Sequence, residues 1–249
     1  LQAEVTSFVT ISGDMEVEYV EITNISDKDV EVVPIGVIPV YGRSADNLRD
    51  HRHVTSLLHR IQTTEYGVEV KPVLSFDERG HQKNNTTYFV YGSSENGEKP
   101  ESFYPTVEDF IGEGGTFLNP EAVRTNKPGK TAGTKIQGKE AVGGLRFSRK
   151  TLKPKEAAGY ILLSGTTKTS DSIALLTSGC RTKLQVQKML EEVKEHWIQK
   201  VNVAFETGNS DVDNYLKWIC FQPILRRIYG CSFLPYHDYG KGGRGWRDL

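Results

Sequence analysis

The stretch from Tyr236 to Asp248 holds the densest chemistry in this 249-residue chain: one histidine, two aspartates, three basic residues, two tyrosines, a tryptophan and four glycines in 13 positions. Glycine lets a backbone approach a ligand closely, and Trp246 offers a flat face to sugar C–H groups or to bases. Arg247 and Asp248 set a donor fork beside a carboxylate acceptor, a combination suited to vicinal hydroxyls. That is the chemistry of a sugar site. The structural alternative is a glycine-rich turn whose arginine and aspartate satisfy helix ends and each other. Gly-Lys-Gly-Gly-Arg-Gly also resembles the RGG segments of nucleic-acid binders, but one copy in a neutral chain is weak support. It is no Walker motif, because no GK[ST] follows the required spacing.

A second cluster, Arg49-Asp50-His51-Arg52-His53, is followed by His59. His51 and His53 at i, i+2 can share one strand face and ligate a metal, yet no carboxylate or cysteine partner stands at a familiar spacing. A polar network at a domain boundary or oligomer interface is the expected role. There is no GxSxG, and nothing links Cys180, Cys220 or Cys231 to a histidine. With 32 acidic residues, no carboxylate pair stands out as a glycosidase site. No catalytic residue and no metal ligand is therefore assigned.

The elements that must position these residues change character along the chain. Val5–Ile11, Met15–Thr23, Val30–Tyr41, Val68–Phe76, Thr86–Tyr91 and Gly159–Ser164 read as strands bounded by turn residues. In Met15–Thr23 the apolar phase slips by one residue, which predicts a bulge near Tyr19. Pro34 and Pro39 predict that Val30–Tyr41 is broken or at an edge. The aromatic runs Tyr88–Tyr91 and Phe103-Tyr104 are expected as core and turn aromatics rather than as a binding platform. Gly112–Gly144 reads as a long loop, either ligand-facing or solvated. Many antiparallel strands without crossover helices point to a β-sandwich over 1–180.

After Cys180 the period becomes helical. Val186, Met189, Leu190, Val193 and Trp197 form one stripe, predicting a helix over about 184–200. A second helix is expected from Ser210 as its N-cap, with Val212, Tyr215, Leu216, Ile219 and Leu225 on its apolar side and a kink before Pro223. The chain then ends with no partner for that apolar side, so it is expected to be cut inside a domain. A start at Leu1 likewise suggests a processed or excerpted chain.

Composition excludes several classes. Lys plus Arg number 31 against 32 Asp plus Glu, a net charge of −1, so no global field draws the chain to nucleic acid. No segment reaches the ~18 apolar residues of a membrane helix, and the mean hydropathy is −0.45. Three widely spaced cysteines without CxxC suggest a reducing compartment, hence the cytoplasm. The sequons at Asn24, Asn84 and Asn85 matter only for a secreted protein.

The helix Asp213-Asn214-Tyr215-Leu216-Lys217-Trp218 through Gln222, followed by the loop closing in Gly245-Trp246-Arg247-Asp248, resembles the family 94 glycoside phosphorylases. Within that family the loop is most similar to those of 1,2-β-oligoglucan phosphorylases and the phosphorylase-like part of cyclic β-1,2-glucan synthases. The resemblance implies a mainly β chain with C-terminal α structure: a β-sandwich (super-sandwich) over 1–180, a helical linker over 181–207 and the truncated start of an (α/α)6 barrel over 208–249. It implies that Arg247 and Asp248 hold the non-reducing-end glucose, with Arg244 and Trp246 as further substrate-binding candidates. The general acid and the phosphate ligands would lie in a later barrel segment. The complete enzyme would act on a β-linked gluco-oligosaccharide with inorganic phosphate as co-substrate and no cofactor, possible as a homodimer; this segment alone would be inactive. The alternative is a noncatalytic β-sandwich module for carbohydrate binding or dimerisation.

Overall fold

The computed structural model describes residues 1–12, 14–41, 56–77, 80–168 and 170–229. Fourteen strands and five helices are seen there, beginning with β1 (Gln2–Val9), β2 (Met15–Thr23), β3 (Val30–Val32), β4 (Ile35–Pro39), β5 (Arg60–Thr63), β6 (Gly67–Val70), β7 (Leu74–Asp77) and β8 (Gly80–Lys83). They continue with β9 (Thr87–Ser94), β10 (Ser102–Thr106), α1 (Val107–Ile111), α2 (Glu121–Arg124), β11 (Lys135–Gln137), β12 (Ala141–Arg146), β13 (Lys150–Leu152) and β14 (Ala157–Thr167). The last elements are α3 (Ser170–Ser178), α4 (Lys183–Lys200) and α5 (Ser210–Tyr229).

A seven-stranded antiparallel sheet in the order β1-β2-β14-β9-β6-β5-β11 faces a three-stranded sheet, β10-β12-β4, with the pairs β13-β3 and β7-β8 beside them. Val68, Val90, Tyr160 and Leu162 of the large sheet meet Phe103, Leu145 and Phe147 across the interior. On the large sheet's other face, Met15, Val17, Phe89, Ile161 and Leu163 pack against Ile173, Cys180 and Val186 from the helical layer. A third cluster, Tyr104, Val107, Phe110, Ala122 and Val142, seals the outer face of the small sheet under α1 and α2. The layers therefore run helix, sheet, sheet, helix. Because β14 sits between two packed layers, its apolar residues are consecutive rather than alternating. Each fully buried side chain of this kind contributes about 1.5–3 kcal/mol.

The mainly β, antiparallel expectation holds, with its helices toward the C-terminus. β2 spans Met15–Thr23 as expected, but it carries no bulge: its pairing with β1 and with β14 is in unbroken register. Met15, Val17 and Tyr19 face the helical layer while Ile22 packs toward the sandwich interior, so covering on both faces, not a slip, puts apolar residues on both sides of the strand. Register does shift between Tyr104 and Thr106, where β10 pairs with β12. Pro34 divides the Val30–Tyr41 stretch into β3 and β4 as expected.

The Gly112–Gly144 stretch is not one long loop. It contains α2, β11 and most of β12, the middle strand of the small sheet. Gly143 and Gly144, which read as loop glycines, are buried because the packing leaves no room for a Cβ. At Gly143 one would lie 2.2 Å from Val90 Cβ, and at Gly144 2.7 Å from Tyr104 Cβ.

Residues 208–249 are described as far as Tyr229, and there they form one helix, α5, that runs through Pro223. Its N-terminus is held by Asn209 rather than Ser210: the Asn209 side chain accepts from the backbone N–H of Asp211 at 3.0 Å.

Candidate functional site

The four residues that the sequence singles out for sugar contact, Arg244, Trp246, Arg247 and Asp248, lie outside the described residues, as does Arg49–His53. What is described is the scaffold that leads to them. His59, the last histidine of the second cluster, is buried at the start of β5, with Nδ1 3.2 Å from the Lys139 carbonyl oxygen. Among the described residues no three His, Cys, Asp or Glu side chains are placed to hold a metal ion, and no helix is long and apolar enough to cross a membrane.

Of the helix motif, Asp213 serves its own helix: its carboxylate accepts from the Thr207 backbone N–H at 2.9 Å and from the Thr207 hydroxyl at 2.7 Å. Asn214, Lys217 and Trp218 line a groove of about 490 Å³ with Phe221, facing Val193, Trp197, Ile198 and Val201 of the preceding segment. Trp197 meets Phe221 edge-on at 4.7 Å between centroids, and Trp218 lies 5.5 Å from the same ring. These three rings join α4 to α5. Trp218 nonetheless stays 53 % exposed, and Tyr215 and Ile219 are also open to solvent. The amide nitrogen of Gln222, the last motif residue, is buried and has no hydrogen-bond partner among the described residues.

The root of α4 is fixed to the large sheet by a charged cluster. Thr182 and Gln185 form a reciprocal capping box. Lys183 Nζ donates to Glu21 Oε2 at 2.7 Å, and the Tyr19 hydroxyl lies 3.2 Å from both Glu21 and Glu95 carboxylates. The hydrogen bond to Glu21 holds the Lys183 ammonium above its usual pKa, and the same bond holds the Glu21 carboxyl below its own. Burial pushes the Tyr19 phenol up to about 12. Next to this cluster the Arg181 guanidinium stacks 3.9 Å from the Tyr66 ring centroid. Backbone ties complete the attachment: Ser93 Oγ donates to the Arg181 carbonyl at 2.8 Å, and the Lys183 N–H donates to the Glu95 carbonyl at 2.9 Å.

Nothing in this cluster is poised as a nucleophile. Cys180 is buried against Met189, and burial pushes its thiol up to about 11. The aromatic runs are core, as expected: Phe89, Phe103 and Tyr104 are fully covered. The side-chain amides of Asn24 and Asn84 donate inward to backbone carbonyls, at 2.8 Å to Leu152 and to Pro72 respectively.

A family model, glycosyl hydrolase 94, supersandwich domain, matches residues 1–194. The chain belongs to glycosyl hydrolase family 94. Members of family 94 are glycoside phosphorylases. The match takes in all fourteen described strands, the flanking helices α1 to α3 and α4 through Lys194. The layered β core described above is thus the family 94 supersandwich. No curated protein matches the chain.

The attachment of α4 in this family 94 domain was not visible in the sequence. Glu21 and Lys183 are 162 positions apart, and neither belongs to a motif. The Trp218 and Phe221 pair, at i, i+3 on one helix face, was the available signal for the α4–α5 contact.

Proposed function

We propose that this chain is the N-terminal part of an inverting glycoside phosphorylase that cleaves β-glucan oligosaccharides reversibly with inorganic phosphate, β-1,2-linked glucans being its substrate class. In this assignment 1–180 is the supersandwich domain, 181–207 the helical linker, and 208–249 the opening helix and donor-subsite loop of an (α/α)6 barrel. Support comes from one conjunction: the family match over 1–194 is followed by the Asp213–Gln222 helix pattern and then by Gly245-Trp246-Arg247-Asp248. The same conjunction favours a phosphorylase over a noncatalytic sandwich module.

Arg247 would donate to, and Asp248 accept from, hydroxyls of the non-reducing-end glucose, with Arg244 and Trp246 beside them. Their task is placement of the anomeric carbon, where a displacement of about 1 Å costs ~100-fold in rate. A general acid from another barrel segment protonates the glycosidic oxygen as phosphate attacks the anomeric carbon from the opposite face. Inversion then yields α-glucose 1-phosphate, with phosphate in the position that water takes in an inverting hydrolase. Asp248 is a sugar ligand in this scheme, not the acid, and no cofactor is required. We place the enzyme in the cytoplasm, with its sandwich available for homodimer contacts.

The test is Asp248→Ala in the complete enzyme. Release of α-glucose 1-phosphate from β-1,2-gluco-oligosaccharides and the reverse synthesis should both be lost while the melting temperature is unchanged. Retained activity on every β-glucan overturns the assignment, and release from β-1,3 or β-1,4 glucans alone overturns the linkage.

A further inference from the structure

A cavity of about 300 Å³ opens where the Ser94–Glu98 turn, the start of β14 and the loop between β12 and β13 converge. That volume is at the lower end of the ~300–1,000 Å³ typical of ligand pockets. Its wall includes Phe147 and Tyr160, whose ring centroids are 4.9 Å apart. Both rings are nearly covered and belong to the sandwich core, so the wall is rigid.

Five charged residues line the cavity, and each is already engaged. Glu95 accepts from the Tyr19 hydroxyl at 3.2 Å and Glu98 from Ser94 Oγ at 3.0 Å. Lys99 pairs with Glu65 at 2.7 Å, Lys150 with Glu156 at 3.6 Å, and Arg149 with Glu31. Three neutral groups in the lining are free among the described residues: the Tyr160 hydroxyl, the Ser148 hydroxyl and the Asn96 side-chain amide. Tyr160 is only 7 % exposed, and a phenol so covered ordinarily finds a partner. A phenol is protonated at neutral pH, so the hydroxyl can donate, and burial, with Glu95 and Glu98 nearby, raises its pKa further.

An anion entering here would have to compete with the carboxylate partners of Lys99, Arg149 and Lys150, and a cation with the hydroxyls from which Glu95 and Glu98 accept. A neutral polyhydroxylated molecule can use the unengaged Tyr160, Ser148 and Asn96 groups and leave those contacts in place. We infer that this cavity is a second, non-catalytic saccharide site that takes one sugar unit of a neutral oligosaccharide. The residues described as lining it lie between Ser94 and Tyr160 and include no part of the motif proposed for the donor subsite. Only the choice of a glucose disaccharide as the probe rests on the function proposed above.

The experiment is a titration of the full chain with sophorose, followed by saturation-transfer NMR and calorimetry, with inorganic phosphate as a competitor. The proteins are wild type, R247A/D248A, Y160F, S148A and N96A. Sophorose should still bind R247A/D248A, and each cavity substitution should weaken that binding by about 3- to 10-fold, the effect of one lost neutral hydrogen bond. Y160F keeps the ring and its contact with Phe147. Should it disturb the fold, S148A and N96A, both at exposed positions, carry the test. Loss of all binding in R247A/D248A, binding unchanged in the three cavity variants, displacement of sophorose by phosphate, or no binding to wild type each overturns the proposal. Binding that falls with the cavity variants and is indifferent to R247A/D248A upholds it, while the donor-subsite assignment is tested separately by Asp248→Ala in the complete enzyme.

Discussion

Replacing Gly143 by alanine tests the layered packing with one methyl group. The new Cβ would lie 2.2 Å from Val90 Cβ and 2.4 and 2.6 Å from its two methyls, well inside the 3.4–4 Å of ordinary contact. Neither side can retreat easily. Gly143 is on the middle strand of the small sheet, paired with Ile38, while Val90 is on β9, paired with Val68 on one side and Ser164 on the other. Overpacking of this kind costs about 1–3 kcal/mol. The alanine also restricts the unfolded chain, which returns about 0.4–1 kcal/mol. A clash as close as 2.2 Å puts the cost in the upper part of that range, about 2–3 kcal/mol, so the net loss is about 1–2.6 kcal/mol, or a melting temperature lower by about 2–10 °C in a chain of this size. Gly179 is the control. A Cβ there meets nothing within 4 Å, so G179A should be neutral or slightly stabilising. Thermal and urea unfolding followed by circular dichroism reads both variants. If G143A is as stable as wild type, the two sheets are not held at the separation described, and the account of β12 is wrong.

Alkaline titration should destabilise the α4 attachment. A raised tyrosine pKa means that the folded state keeps a proton that the unfolded chain has released, so the Tyr19 contribution is intact below pH 10 and lost by about 12. The raised Lys183 adds to this in the same direction, and the lowered Glu21 contributes only at the acid end, where stability falls as its carboxylate protonates. Y19F should flatten the alkaline limb of stability against pH; an unaltered limb refutes the assignment. Cys180, buried with its thiol raised to about 11, should resist iodoacetamide at pH 8 until the domain unfolds, as read by peptide mass mapping. Labelling at the rate of a free thiol contradicts its packing. W197A removes an aromatic contact worth about 0.5–1.5 kcal/mol beyond its area, and should speed proteolysis between Val201 and Asn209 without moving the melting temperature of the sandwich. Unchanged cleavage would mean that the tryptophan does not hold α5.

Legibility in the sequence followed the physics of each segment. β2, α4 and the break at Pro34 stood out because periodicity and proline geometry act locally. β12 did not, since Gly143 and Gly144 are chosen by what faces them across the interior, and a glycine required by a neighbour looks the same as one in a loop. The phase change in β2 was visible, but one strand covered on both faces mimics a bulge. Ser210 looked like the cap of α5 because its residue type fits, while Asn209, one position earlier, has the side chain that reaches the Asp211 N–H. The residues proposed for sugar contact were picked out by composition and resemblance alone. The Lys183–Glu21 attachment, the three-ring α4–α5 contact and the cavity at Tyr160 arise only from tertiary proximity.

The ties from Ser93 and Glu95 to Arg181 and Lys183 make α4 a lever whose fulcrum is the end of β9. Eighteen residues at 1.5 Å each put its tip about 27 Å from that pivot. Each degree by which the sheet tilts at the pivot therefore swings Lys200 through about half an ångström, so the twist of the strands sets the bearing of whatever the helix carries.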